Sequence, residues 1–170
     1  FSIDGVLGQL DEPAGTATTV VGIPGAFGTY EGTARLVRSV DDLLLLEPGD
    51  VLDVASGDGV LAELLAPHAR RYVCVDSSAR VVGAARDRLK KYRHVEVLEG
   101  DMQALPFEAN SFDLVLLMHA LTYAPKPGQA IVEAGRVLRR GGRLVATCLG
   151  KHEHQSAVTP YGHVNLGFTA

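Results

Sequence analysis

Cysteine is scarce in this chain of 170 residues, and tryptophan is absent. The two cysteines, Cys74 and Cys148, both lie inside short apolar runs. Two cysteines are too few for a disulfide framework, and their apolar surroundings predict buried strand thiols in a reducing compartment. The cysteine content therefore argues against a small secreted fold held by disulfides and favours a cytoplasmic protein.

A long apolar run and an excess of positive charge are also missing. The longest apolar stretch, Leu114–Met118, is far shorter than the roughly 20 residues that a membrane-spanning helix needs, and no secretory signal is recognisable. The 16 Lys and Arg residues are outnumbered by 20 Asp and Glu residues, giving a formal net charge of −4. We therefore expect neither a membrane nor a nucleic acid as a partner, and a small molecule is favoured as the substrate.

What the sequence does contain divides it into three segments. Residues 1–32 are rich in Gly, Thr and Ala without a regular period, which predicts an N-terminal arm or lid. Residues 33–150 form the predicted core, and residues 151–170 form a polar loop tail. Folds of this kind often have further strands after the fifth, so we expect the natural chain to continue beyond Ala170. The uncovered sheet edge that would otherwise result favours a homodimer.

Within the core, fully apolar strands alternate with helices of period 3.6. The predicted strands are Val51–Ala55, Tyr72–Val75, Val95–Leu98, Phe112–Met118 and Arg143–Leu149. The predicted helices are Thr33–Leu46, Gly59–Ala66, Ala79–Lys91 and Ala130–Leu138, the last closed by Gly141 and Gly142. Because apolar strands of this kind belong in a parallel sheet covered on both faces, the predicted fold class is α/β. The architecture is a three-layer Rossmann-like sandwich with a mostly parallel sheet of at least five strands.

The turn after the first predicted strand is the first candidate site. Asp53 is followed by Ala55, Ser56, Gly57 and Gly59. The two glycines let the backbone turn tightly and approach a ligand, and the N–H groups of the next helix suit a carboxylate or phosphate. Asp53 can accept a hydrogen bond from an ammonium group, directly or through water. An amino-acid moiety carries an ammonium and a carboxylate, so it needs both the acid and the helix N–H groups. A pyrophosphate needs only the N–H groups, so the turn favours a ligand that carries an amino acid.

Two further acids follow the next two strands. Asp76 lies 23 residues after Asp53, where the acid of a βαβ unit can accept hydrogen bonds from both ribose hydroxyls, with Ser77 beside it. Its alternative role is to cap the next helix. Asp101 can accept a hydrogen bond from an adenine amino group, while the Met102 N–H meets a ring nitrogen; an exposed loop acid is the alternative.

The fourth predicted strand ends beside the first glycine turn. Leu117, Met118 and His119 should therefore line the floor of the pocket, near the reacting group of the ligand. The three acids at the ends of successive strands, Asp53, Asp76 and Asp101, should converge around a single ligand.

Together these segments resemble the class I S-adenosylmethionine (SAM)-dependent methyltransferase family. The family's VLDxGxGxG pattern is matched by VLDVASGDG at residues 51–59, its FDLV strand by Phe112–Val115 and its LRPGG turn by LRRGG at residues 138–142. Ala55 replaces the first glycine of the pattern and Arg140 a frequent proline, so the Ala55 methyl is expected to crowd the methionine part of the cofactor. The resemblance implies SAM as the cofactor and methyl transfer as the reaction.

A narrower resemblance covers the tail. The segment His152-Glu153-His154, followed by Tyr161–Phe168, is similar to methyltransferase domains fused behind ArsR-type winged-helix regulators. Arsenic methylation would require several accessible thiols, which two strand cysteines do not supply. His152, His154 and His163 suggest a metal site, and the His-x-His spacing of the first two can place two ligands near one ion. Clear third and fourth ligands do not follow, so no metal site is predicted.

Methyl transfer from a sulfonium is an in-line displacement, so the protein supplies mainly alignment. A base is needed only where the acceptor carries a proton. His119, at the end of the fourth strand, and Tyr30, in the arm, are the candidate catalytic residues, with Tyr123 as a third candidate for the base. Each also has a plainer role, as a pocket wall for His119 and as a packing aromatic for Tyr30.

Two alternative functions remain open from the sequence. The first is an NAD(P)-dependent reductase, because residues 57–62 also satisfy the pattern G-x-G-x-x-A. Against it, Asp53 lies at a strand end where dinucleotide sites usually continue apolar, and Asp101 has no clear role. No Tyr-x-x-x-Lys pair is present either. The second is a non-catalytic SAM-binding regulatory module, since binding and catalysis use the same residues.

Overall fold

The computed structural model describes residues 49–148, 153, 156, 160 and 162–168. The predicted arm at 1–32, with Tyr30, and the predicted helix at 33–46 lie outside the described residues, as do His152 and His154. In the described part, no helix is both long and apolar enough to cross a bilayer.

The sheet has five strands, and every neighbouring pair is parallel. The strands are β1 (Asp50–Val54), β2 (Arg71–Asp76), β3 (Val95–Glu99), β4 (Phe112–Met118) and β5 (Leu138–Thr147). Their spatial order is β3-β2-β1-β4-β5. The chain therefore builds outward from β1 to β3 and then returns to place β4 on the other side of β1. This reversal creates a crevice outside the carboxyl ends of β1 and β4, where open α/β sheets bind ligands.

Helices cover both faces of the sheet, which confirms the predicted three-layer α/β fold. The helices are α1 (Val60–Leu65), α2 (Ala79–Leu89) and α3 (Pro127–Val137), with 3₁₀ segments at Ala66–His68 and Ala120–Tyr123. Helices α1 and α2 pack on the face that carries Tyr72 and Cys74. Helix α3 packs on the opposite face, against Val54, Val75 and Leu117. Alternate side chains of β1, β2 and β4 are buried on opposite faces, as a sheet covered on both sides requires.

The start of β5 differs from the sequence prediction. A helix ending at Leu138 and a strand beginning at Arg143 were expected, but α3 ends at Val137 and β5 already begins at Leu138. Leu138 pairs with Phe112 and Arg143 pairs with Leu114, so the residues between them bulge out of the strand. Gly141 and Gly142 belong to this bulge and do not close the helix. The strand also ends earlier than predicted, and Cys148, expected to be buried on it, is half-buried just beyond it.

Charged side chains hold this bulge at the amino-terminal edge of the sheet. The Arg139 guanidinium donates to Asp113 at 2.8 Å and to Asp50 at 3.0 Å, which links β5 to β4 and β1. Arg70 adds an ion pair to Asp50 at 2.9 Å, and its hydrogen bond holds the pKa of Asp50 below the ordinary value. The contacts among these four side chains explain why β5 begins earlier than its apolar pattern predicts.

The bulge leads to a stability prediction for two glycines. An added Cβ at Gly142 would lie 2.9 Å from the Arg139 carbonyl and 3.0 Å from the Asp113 carbonyl, whereas one at Gly83 in α2 would meet nothing within 4 Å. We expect Gly142→Ala to lower the free energy of unfolding by about 1–3 kcal/mol through overpacking. Gly83→Ala, the control, should raise it by up to about 1 kcal/mol through helix propensity. Urea denaturation measures both, and equal stability of the two variants would contradict the described bulge.

Candidate functional site

The turn between β1 and α1 follows the carboxyl end of β1 and has an unusual backbone. Ala55, Gly57 and Gly59 have φ angles of 56°, 60° and 82°, which lie in the left-handed region. An added Cβ at Gly59 would lie 2.9 Å from the Leu89 side chain, whereas one at Gly57 would meet nothing within 4 Å. Gly59 therefore lets the turn close against α2, and Gly57 leaves backbone open to an approaching ligand.

Asp76, at the end of β2, holds this turn. Its Oδ2 accepts the Gly57 N–H at 3.0 Å, and its Oδ1 accepts the Ser78 N–H at 3.0 Å. An ionised carboxylate can accept about four hydrogen bonds, so capacity remains for two further donors, the number that two ribose hydroxyls supply. The alternative capping role is not observed, because the N-cap of α2 is Ser78 and no side chain forms a capping hydrogen bond there. Ser77 is exposed beside it.

Asp53, the last but one residue of β1, is in contrast almost completely buried. It is 1% exposed, and the Tyr72 hydroxyl donates to its Oδ2 at 3.0 Å. Burial raises the pKa of Asp53 to about 7; the Tyr72 hydrogen bond acts in the opposite direction, and the charge of Asp76 adds to the rise. Asp53 therefore changes its charge near neutral pH. It does so directly before the glycine turn in the chain.

Asp101 and Met102 belong to a loop that is fastened to the same strand end. The Gly100 N–H donates to the Asp76 carbonyl at 3.0 Å, which places this loop next to the end of β2. Asp101 is exposed, and its Oδ1 accepts the Gln103 N–H at 2.8 Å. Met102 is half-buried against the core. Asp101 thus lies at the predicted sheet edge, next to Asp76, but with its carboxylate in a local turn.

Met118 and His119 lie at the carboxyl end of β4, the strand that pairs with β1. Met118 is half-buried, and its sulfur lies 3.9 Å from the Thr147 hydroxyl. His119 is exposed with φ 57°, and its N–H donates to the Thr147 carbonyl at 3.0 Å. Leu117, also expected to line the pocket floor, is fully buried on the opposite face of the sheet. That expectation was wrong because neighbouring strand residues point to opposite faces.

Two contacts at the site were not foreseen from the sequence. Arg88 of α2 donates to the Asp58 carbonyl at 2.9 Å and to its carboxylate at 2.8 Å, which braces the glycine turn. Asn165 of the tail donates its amide to the carbonyls of Leu121 and Ala124, both at 2.8 Å. Asn165 and His163 therefore dock next to the 3₁₀ segment after β4, where the rings of Tyr123 and His163 meet edge-on at 5.2 Å.

Metal binding has no support within the described residues, where no group of three His, Cys, Asp or Glu side chains could hold an ion. An adenosyl-amino-acid ligand, in contrast, fits the groups present. Asp76 retains acceptor capacity, the space over Gly57 is open, and the Ser56 hydroxyl is buried with no hydrogen-bond partner in the described part beyond a weak thiol contact with Cys74. The Ala55 methyl, expected to crowd the ligand, packs instead against the core on the α3 side of the sheet.

Comparison with known proteins identifies similar chains. A family model described as "Methyltransferase domain" matches residues 52–146. A 37.1 kDa protein in a transposon of Streptomyces fradiae is 38% identical over 75% of this chain, and the demethylmenaquinone methyltransferase of Renibacterium salmoninarum is 36% identical over 66% of it. This chain spans 38% and 47% of the lengths of these two relatives, respectively.

Solved structures are similar as well. A SAM-dependent methyltransferase from Thermotoga maritima superposes with a TM-score of 0.63 at 26% identity, covering 78% of this chain and 61% of that one. The [4+2]-cyclase SpnF superposes with a TM-score of 0.61 at 31% identity, covering 66% of this chain and 44% of that one.

The buried acid at the site leads to a prediction on pH dependence. Asp53 changes from a pKa of 3.8 to about 7 on folding, so the native state binds more protons between pH 4 and pH 7. Its contribution to stability therefore falls as pH rises through that window, by about 1.4 kcal/mol per unit of pKa difference. Asp53→Asn keeps an acceptor for Tyr72 and cannot titrate. We expect this variant to gain stability relative to wild type from pH 4.5 to 7.5 in urea denaturation; parallel curves would contradict the assigned pKa.

Proposed function

Because this chain belongs to the methyltransferase domain family, which its residues 52–146 match, we propose that it binds SAM and transfers the methyl group to a small-molecule acceptor. Family membership confirms the predicted class, and SAM is the cofactor of that class. The observation that carries the proposal is the Asp76 carboxylate, which accepts the Gly57 N–H at 3.0 Å and has acceptor capacity left for two further donors.

The residues that would hold the cofactor lie around the ends of β1, β2 and β3. Asp76 would accept the ribose hydroxyls, with the exposed Ser77 beside it, and Asp101 and the Met102 backbone would meet the adenine. The open backbone at Gly57 would admit the amino-acid part, with Ser56 as a further polar contact. The backbone of Ala55, together with Gly59 and Met118, would shape the surrounding wall.

Bound SAM supplies an activated methyl group on a sulfonium. The protein's contribution is alignment of the acceptor and exclusion of water. His119 is exposed at the end of β4, the strand next to β1, and is proposed to contact the acceptor and to accept its proton where one is lost. Tyr30, the second candidate, remains a prediction.

The nature of the acceptor is proposed from charge and relatives. A small molecule suits the net charge of −4, and the relative from Renibacterium salmoninarum is a demethylmenaquinone methyltransferase, so demethylated quinones are reasonable first acceptors to assay. The absence of nucleic-acid and membrane partners, a homodimer and a cytoplasmic location remain predictions. The narrower likeness to domains fused behind ArsR-type regulators also remains a prediction.

Of the two alternatives, the NAD(P)-dependent reductase gains nothing from the family match. The non-catalytic module stays open because SAM binding and catalysis would use the same residues. The similar chain SpnF is a [4+2]-cyclase, so a chain of this fold need not be a methyltransferase. Transfer of a labelled methyl group from SAM to a panel of acceptors, including demethylmenaquinone, tests the proposal. Labelled product supports methyl transfer, whereas tight SAM binding without any product across the panel favours the module.

The ribose assignment predicts the effect of removing the Asp76 charge. Asp76→Asn should weaken binding of S-adenosylhomocysteine by roughly 10- to 100-fold, because hydrogen bonds to a charged acceptor and the lock on Gly57 are both lost. Asp87→Asn, at an exposed position of α2, is the matched control and should bind like wild type. Calorimetric titration measures both affinities, and an unchanged affinity for Asp76→Asn would refute the assignment.

His119 can be tested against a residue with the same backbone strain. His119 and Asn110 both have positive φ angles, 57° and 58°, so glycine fits both positions and should change stability little. Once an acceptor is identified, we expect His119→Gly to lose at least about tenfold in turnover, because general acid–base groups typically contribute roughly 10²–10⁴-fold. Its affinity for S-adenosylhomocysteine should not change. Asn110→Gly, away from the crevice, should keep wild-type turnover. Wild-type turnover in His119→Gly would remove His119 from the mechanism.

A further inference from the structure

The hydrogen bond between Tyr72 and Asp53 is a contact for which the cofactor-binding motif does not account. Tyr72 lies on β2, is fully buried, and donates its hydroxyl to Asp53 Oδ2 at 3.0 Å. A buried phenol needs a hydrogen-bond partner, and a buried carboxylate needs a donor. Each side chain therefore meets the other's requirement, and the Asp53 carboxyl is held in one orientation behind the glycine turn.

The surroundings of Asp53 provide little else to stabilise its charge. On the neighbouring strand β2, the titratable groups that act on it are Tyr72, the buried thiol of Cys74 and the carboxylate of Asp76. The strand β4 contributes Leu116, which pairs with Asp53. The covering helices α1 and α2 contribute apolar side chains to this face: Ala62, Leu65, Ala85 and Leu89. Within this set, Tyr72 is the group that favours the charged carboxylate.

We propose that Tyr72 is a positioning residue for cofactor binding, because its buried hydroxyl keeps the Asp53 carboxylate oriented and charged to attract the ammonium group of SAM. The proposal rests on the proposed function. Attraction of an ammonium requires the anionic form of Asp53, whereas burial and Asp76 both oppose that form. Removing the Tyr72 hydroxyl shifts the balance toward the neutral acid, and binding of a cationic group must then displace a proton.

The test is the pH dependence of ligand affinity between pH 5.5 and pH 8, measured by calorimetry. Two probes separate the ammonium from the rest of the ligand. S-adenosylhomocysteine carries the ammonium and carboxylate, whereas methylthioadenosine keeps the adenosine and the thioether but lacks both charges. Wild type should bind S-adenosylhomocysteine more weakly as pH falls below about 7, the pKa of Asp53, and should bind methylthioadenosine equally across the range.

The variant Tyr72→Phe keeps the ring and loses the hydroxyl. We expect it to bind S-adenosylhomocysteine at least about tenfold more weakly than wild type at pH 6 and to approach wild-type affinity at pH 8, with methylthioadenosine affinity unchanged. Tyr92→Phe is the matched control, because the Tyr92 hydroxyl contacts the Glu63 carbonyl at 3.3 Å and not Asp53. Its affinity should follow the wild-type pH profile.

A second variant covers the case in which Tyr72→Phe does not fold. A fluorinated tyrosine inserted at position 72 keeps the hydroxyl and is a more acidic donor, so it should move the affinity profile to lower pH. Two outcomes would show that Tyr72 has a purely structural role. In the first, the ratio of variant to wild-type affinity does not change with pH; in the second, both ligands lose affinity equally. Either outcome would overturn the inference but leave the proposed function standing. Failure of wild type to bind S-adenosylhomocysteine at any pH would overturn both the inference and the proposed function.

Discussion

The hydrogen bond from the Gly57 N–H to the Asp76 carboxylate is the contact on which the site depends. It joins the turn after β1 to the end of β2, and two backbone hydrogen bonds reinforce the same junction. The Ser56 N–H donates to the Val75 carbonyl at 3.1 Å, and the Gly100 N–H donates to the Asp76 carbonyl at 3.0 Å. The last two residues of β2 therefore anchor the loops after β1 and β3, which brings three chain segments to one edge of the sheet.

The same edge of the sheet contains strained backbone and a buried acid, both of which lower the stability of the fold. The structure describes three non-glycine residues with positive φ, and two of them, Ala55 and His119, flank the crevice. Asp53 is buried there with a pKa raised to about 7, which costs stability at neutral pH. Strained backbone and unfavourable burial often accumulate where a protein binds or reacts. Their concentration at the carboxyl ends of β1 and β4 is consistent with the crevice as the functional site.

Most of the fold follows from local patterns that a sequence displays. Strand β4 is predicted residue for residue as Phe112–Met118, and β3 differs by one residue at its end, because apolar runs next to glycine or acidic turns define parallel strands. The start of β5 is not predictable in this way. It depends on Arg139 meeting Asp50, which is 89 residues away, and local periodicity carries no information about such a pair.

The site residues also divide into those that the sequence predicts and those that it does not. Acids at strand ends, such as Asp76 and Asp101, are visible in the sequence because the carboxyl ends of parallel strands meet at one edge. The partner of Asp53 depends on the register between β1 and β2, which pairs Asp53 with Cys74 and so brings Tyr72 to the same face. A tyrosine within an otherwise apolar strand is the one local signal that a buried hydrogen-bond partner exists. The contacts of Asn165 and Arg88 leave no such signal.

The most direct test of this account is a crystal structure of the protein with S-adenosylhomocysteine. The account predicts both ribose hydroxyls within about 3 Å of the Asp76 carboxylate, the adenine beside Asp101 and Met102, and the Gly57–Asp76 hydrogen bond retained. A ligand bound elsewhere on the sheet, or one whose ribose leaves Asp76 without contact, would contradict it.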